Sequence, residues 1–151
     1  MARTRPAAAS GSVPHVIRTL GGPGLLHARS LAELRERLRG GLPFASLAAV
    51  ANGFGFAGED TAAILRIPAR TLARRKRARR LSPEESDRLF RLGRIATLAE
   101  EVLGGRERAA LWLRADNRAL GRATPLSRLD TDLGAEEVET VLLRLAHGVY
   151  S

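Results

Sequence analysis

Along most of this chain apolar residues recur at three- and four-residue intervals, and no stretch alternates apolar with polar as a half-buried strand would. That pattern predicts an all-α fold. Residues 1–29 are broken by Pro, Gly and Ser, with GGPG at 21–24, and read as a flexible N-terminal segment and linker. A helix is expected from Ser30, where Ser30 and Glu33 make a capping-box pattern. Leu31, Leu34 and Leu38 form its apolar stripe, and Gly40 and Gly41 end it. Leu42 and Pro43 open a second helix over 44–51, with Leu47 and Val50 inward. The NGFGFAG segment, 52–58, reads as a Gly-rich loop. It is not a phosphate loop, because no Lys-Ser/Thr follows and no strand precedes it.

A third helix is expected over 58–66, then a fourth with Pro68 in its first turn, where a missing N–H costs nothing. Ala69, Leu72 and Ala73 share one face of it; Arg70, Arg74, Arg75 and Arg77 point elsewhere. Ser82-Pro83-Glu84-Glu85 is a second capping-box pattern. It starts a long helix to about Leu103, with Leu89, Leu92, Ile95, Ala99 and Val102 in phase and Gly104 and Gly105 as its stop. A helix over 106–114 carries Leu111, Trp112 and Leu113. A loop follows over 117–123. Thr124 and Pro125 cap a short helix through Leu129. The last helix, 134–146, turns Val138, Val141, Leu142 and Leu145 inward, and Val149-Tyr150-Ser151 is a free tail.

Charge sharpens this picture. The net charge is +9, but residues 1–95 carry +11 and residues 96–151 carry −2, so the two parts suit different partners. Between Arg66 and Arg80 eight of fifteen residues are Arg or Lys and none is acidic. A run with no acids to pair along its own helix repels itself unless a polyanion is present. It also follows a short helix and a tight break, the layout of a helix-turn-helix whose second helix is offered to phosphates and base edges. A solvated basic face is the plainer alternative. The face opposite the arginines offers only Leu72 and small alanines, which is too little for a membrane surface. No aromatic platform is present for unpaired bases.

Other chemistries fit poorly. Cysteine is absent, which excludes disulfides and thiolate metal sites, and His15, His27 and His147 are too scattered for zinc. No apolar run approaches the ~20 residues of a membrane span, and the Arg-rich N-terminus lacks the apolar core of a signal peptide. A cytoplasmic, non-enzymatic protein with no cofactor is expected. Glu100-Glu101 and Glu136-Glu137 are helix neighbours pointing to different faces, so they are not acid/base dyads. Trp112, between two leucines, reads as a packing anchor. A chain ending in Val149 and Tyr150 is unusual, because ends are mostly polar, and it points to docking onto the domain itself or a partner.

Several segments together resemble the Xre/MbcA/ParS family of antitoxins, the partners of RES-domain toxins. They are Ala110-Leu111-Trp112-Leu113, Asn117-Arg118-Ala119-Leu120-Gly121, Thr124-Pro125-Leu126 and His147-Gly148-Val149-Tyr150-Ser151. Residues 70–76 and 81–89 are similar to the family's Xre-like helix-turn-helix region, so the resemblance covers about 30–151. The chain departs from the pattern at Arg122, where a second Gly is frequent, and at Asp116, where Pro is usual. It departs again at Arg79-Arg80, where a Gly is common and where the basic helix is expected to lengthen.

The resemblance implies three parts: residues 1–29 flexible, 30–81 a helix-turn-helix DNA-binding domain, and 82–151 a helical toxin-binding domain with a C-terminal tail. It implies an antitoxin of a bacterial type II toxin–antitoxin system whose toxin consumes NAD. The C-terminal region would block the toxin's active-site entrance through Trp112, Asn117, His147, Gly148, Val149, Tyr150 and Ser151. Double-stranded operator DNA would be bound through Arg66, Arg70, Thr71, Arg74, Arg75, Lys76 and Arg77, by a homodimer and by a larger toxin–antitoxin complex that represses its own operon. The alternative is a stand-alone helix-turn-helix regulator whose C-terminal domain serves dimerisation.

Overall fold

Capping residues and glycine stops divide the chain into helices, and one of them, long and apolar on several sides, gathers most of the rest. The computed structural model describes residues 13–148. The order is α1 (Val13–Thr19), α2 (Leu31–Arg39), α3 (Ala45–Phe54), α4 (Gly58–Ile64), α5 (Ala69–Ala78), α6 (Pro83–Leu103) and α7 (Arg106–Arg114). Two 3-10 turns, Arg118–Leu120 and Leu126–Asp130, lead to α8 (Asp132–Ala146). Among the described residues there is no strand, only a single bridge between Pro43 and Arg80.

The spine is α6. Ser82 Oγ accepts the Glu85 N–H, the Glu85 carboxylate accepts the Ser82 N–H, and Pro83 sits in the first turn, so the expected capping box forms in full. Gly104, at φ 79°, ends the helix in the left-handed region that favours glycine. Leu89, Leu92, Ile95 and Ala99 are completely buried. Helices α1, α2, α7 and α8 all pack on α6, and the second 3-10 turn packs on both α6 and α8. One hydrophobic core runs unbroken from Val16 through Leu92 to Leu142. The halves before and after α6 are therefore stabilised by shared burial.

Several elements differ from their sequence expectation. Residues 13–29, expected as part of a flexible segment and linker, contribute a helix and apolar side chains to the core. Val16, Ile17, Leu20 and Leu26 are buried, and α1 lies on α6. Gly93 makes this possible, because a Cβ there would come within 3.0 Å of Leu20 Cδ2. The Thr19 and Thr97 hydroxyls hydrogen-bond at 2.6 Å across the contact, and Thr97 also donates to the Gly93 carbonyl. Residues 1–12 lie outside the described residues.

Ser30 caps α2, but its box is half made: the Glu33 carboxylate takes the Arg29 N–H instead of that of Ser30. Leu31 is 69% exposed, so the stripe reduces to buried Leu34 and half-buried Leu38. Helix α3 continues to Phe54, through what reads as loop, because Phe54 is buried and its ring stacks on Phe56 at 5.8 Å. Pro68 is the N-cap of α5, one position ahead of the expected first turn.

Candidate nucleic-acid interface and partner-binding region

Helix α4 ends by turning at Arg66, which adopts φ 54°. The Ile67 N–H reaches the Ala62 carbonyl and the Arg66 N–H reaches that of Ala63. This is a Schellman closure with arginine at the left-handed position. Arg88, from α6, donates to the Leu65 carbonyl at 3.0 Å and completes the cap. Leu65 and Ile67 are buried on either side of the turn, and α5 then departs from Pro68. Helices α4 and α5, joined over 65–68, form the expected helix-turn-helix.

At its far end α5 closes the same way. Arg79 stands at φ 59°, with the Arg80 N–H on the Arg75 carbonyl and the Arg79 N–H on that of Lys76. The expected lengthening of the basic helix does not occur, since Arg79 terminates it. The Arg79 carbonyl accepts the Phe44 N–H and the Leu42 carbonyl accepts the Leu81 N–H, which pins the exit of α5 to the segment before α3. Gly41 is needed there, because at φ 88° a Cβ would overlap the Leu81 carbonyl oxygen.

Between these ends α5 buries no residue completely. Thr71, Leu72 and Arg75 are half-buried, whereas Ala69 and Ala73, expected on one face with Leu72, are exposed. Arg70, Arg74 and Arg77 are spaced i, i+4, i+7 and form one exposed outward stripe, with Lys76 exposed beside it. Arg75, grouped in the sequence with the outward arginines, is instead turned inward. Its Nε donates to both oxygens of Glu85, at 2.9 and 3.2 Å, and the Glu85 side chain is only 9% exposed. Burial alone would push the Glu85 carboxyl up. The Ser82 N–H, the Arg75 guanidinium and the Ser82 hydroxyl together outweigh it and hold it below its ordinary 4.5. Arg66 is exposed and reaches Asp130 at 3.4 Å.

The second candidate region follows α6. Trp112 is half-buried against the core, between exposed Leu111 and fully buried Leu113. Asn117 organises the next loop: its side chain accepts the Ala119 N–H, its carbonyl accepts those of Leu120 and Arg122, and its N–H donates to the Ala123 carbonyl. Gly121 and Arg122 have φ 65° and 68°. A glycine in place of Arg122 would meet that geometry without strain. The loop is tied to the second 3-10 turn by Arg128, which donates to the Leu120 carbonyl. Thr124 caps that turn by accepting the Ser127 N–H. His147 and Gly148 end α8 and are exposed. Val149, Tyr150 and Ser151 lie outside the described residues. No described hydrogen bond joins Trp112 or Asn117 to His147 or Gly148. Among the described residues no group of acidic or histidine side chains is placed to hold a metal ion, and no helix is long and apolar enough to cross a membrane.

The architecture is that of an all-α protein in which a helix-turn-helix shares its core with a second helical unit. Residues 33–94 match the antitoxin Xre-like helix-turn-helix domain, and residues 98–148 match the antitoxin Xre/MbcA/ParS C-terminal toxin-binding domain. Proteins named Antitoxin Xre are similar along the chain. That of Photorhabdus laumondii is 32% identical over 136 residues, 89% of each chain. That of Yersinia enterocolitica is 41% identical over 87 residues, 56% of this chain and 59% of the relative. That of Pseudomonas putida is 41% identical over 83 residues, 54% of this chain and 52% of the relative. The aligned part thus spans a little over half the length of the latter two relatives. The chain belongs to the Xre antitoxin family.

Proposed function

We propose that this protein is the antitoxin of a type II toxin–antitoxin pair and neutralises a RES-domain toxin that consumes NAD. The observation that carries the reading is the pairing, on one chain, of a helix-turn-helix with a segment matching a toxin-binding domain. The region from Trp112 and Asn117 to His147–Ser151 is the toxin-facing part, and its final residues occlude the entrance to the toxin's active site. The protein itself catalyses nothing and works in the bacterial cytoplasm. Its second task is to bind its own operator as a homodimer, alone or with toxin, and to repress transcription. For that task the outward stripe of Arg70, Arg74 and Arg77, with Lys76, supplies phosphate and base-edge contacts. A dimer presents two copies of α5 about one DNA turn apart, which suits a palindromic site.

The test is co-expression with the neighbouring toxin gene while growth and cellular NAD are followed. Toxin alone should deplete NAD, the pair should not, and removing residues 149–151 should abolish protection without unfolding the chain. Full protection by the truncated chain would overturn the occlusion. A harmless neighbour would leave the stand-alone regulator as the better reading.

A further inference from the structure

We propose that Arg75 makes no DNA contact and acts instead, through Glu85, as the strut that sets how α5 presents Arg70, Arg74 and Arg77 to a duplex. This rests on the DNA-binding reading above.

Little apolar burial holds α5 in place. None of its residues is fully buried, and its main apolar contact is half-buried Leu72. Its two ends are fixed by backbone hydrogen bonds, at the turn over 65–68 and at the Pro43–Arg80 bridge. Neither end fixes the tilt and rotation of the middle. Arg75 does, because its Nε straddles the Glu85 carboxylate. That carboxylate is itself locked into the first turn of α6 by the Ser82 N–H at 2.8 Å. The contact therefore joins the least buried helix to the most buried one.

Helical geometry separates Arg75 from the stripe. At about 100° per residue it lies roughly 100° from Arg74 and still further from Arg70 and Arg77. It cannot share their phosphate-facing surface unless α5 rolls. Rolling would strip the largely buried Glu85 of its cationic partner, and that opposes the motion. Within α5 the basic residues thus divide into an outward set, Arg70, Arg74, Lys76 and Arg77, that meets the polyanion and an inward one, Arg75, that aims it.

The test measures binding of the full chain to a duplex of the region upstream of its own coding sequence, over a range of salt, with the active fraction titrated. Glu85→Gln is the informative variant. Glutamine keeps the capping box of α6 but removes the charge that holds Arg75. Arg75→Gln removes the other partner, and Arg74→Gln is the contact control. Arg74→Gln should lower the salt slope by about 0.9, the signature of one lost phosphate contact. Arg75→Gln and Glu85→Gln should each weaken binding about three- to tenfold with the slope unchanged, and the double variant should be no worse than either single one. The sign for Glu85→Gln is the sharpest point, since removing a negative charge beside a polyanion would tighten binding if only charge mattered.

Tighter or unchanged binding by Glu85→Gln, or a slope lowered by about 0.9 in Arg75→Gln, would overturn the strut. A wild-type chain that binds no duplex would refute the DNA reading and the strut with it. Loss of active fraction with unchanged affinity in both variants would reduce the pair to a purely structural contact.

Discussion

Replacing Gly134 with alanine sets two effects of opposite sign against each other. Gly134 is the third residue of α8, and its N–H is capped by Thr131 Oγ1 at 3.1 Å. Helix propensity alone would make Gly134→Ala stabilising by about 1 kcal/mol. The structure says otherwise. A Cβ at this position would overlap the Arg128 carbonyl oxygen and lie 2.8 Å from its carbon and 3.1 Å from Thr131 Oγ1. The obstacle is backbone, so no side-chain rotation relieves it. That backbone is held by the Arg128 N–H on the Pro125 carbonyl and by Leu129, which is 1% exposed. Overpacking of this kind costs about 1–3 kcal/mol, and displacing the Thr131 cap adds about 1 kcal/mol. After the propensity gain, the net loss should be about 1–3 kcal/mol. For a chain of this size that lowers the melting temperature by roughly 3–10 °C. Thermal and urea unfolding monitored by circular dichroism would measure it. Gly58→Ala is the control, because Gly58 also lies in a first helical turn but a Cβ there would meet nothing within 4 Å. It should be neutral or slightly stabilising. A Gly134→Ala protein as stable as wild type would refute the claim that close backbone approach, at the joint between the second 3-10 turn and α8, dictates glycine.

Three further outcomes are expected. Arg79→Gly should raise stability by about 0.5–1 kcal/mol in urea titration, because it relieves a left-handed arginine at φ 59°, and a loss of stability would contradict this. Leu113→Ala, at a fully buried site, should cost about 2–5 kcal/mol, whereas Leu111→Ala, at a site 67% exposed, should stay within about 0.5 kcal/mol of wild type; equal costs would contradict the orientation of α7. The Glu85 carboxyl is held below its ordinary 4.5, so its contribution to stability is present above that value and is lost as pH falls through its folded value. The stability advantage of wild type over Glu85→Gln should therefore be full at neutral pH and vanish in acid, and a difference independent of pH would contradict the pairing with Arg75.

What could be read from the sequence was whatever local rules decide. Ser82, Pro83 and Gly104 delimit α6, and α7 spans the expected 106–114. The basic run and the tight break before it place the helix-turn-helix. The missed features are tertiary. Val13, Val16, Ile17 and Leu20 have helical spacing, but a seven-residue helix with Pro14 in its first turn and two glycines just beyond its end is stable only where Gly93 opens a notch for Leu20 and Thr97 meets Thr19. Likewise the Gly-rich segment 52–58 reads as loop throughout until Phe54 is seen to be buried and stacked. The inward turn of Arg75 was hidden because its acid partner lies ten residues away on the next helix, beyond the reach of pairing within α5.

The central claim, that this chain neutralises an NAD-consuming toxin directly, is tested most simply with purified components. The neighbouring toxin's NAD turnover would be followed while the full chain is titrated in. Turnover should fall to zero at a fixed molar ratio, with the toxin's activity retained when residues 149–151 are removed from the added chain. Undiminished NAD turnover in the presence of a stable toxin–protein complex, or no complex at all, would contradict it.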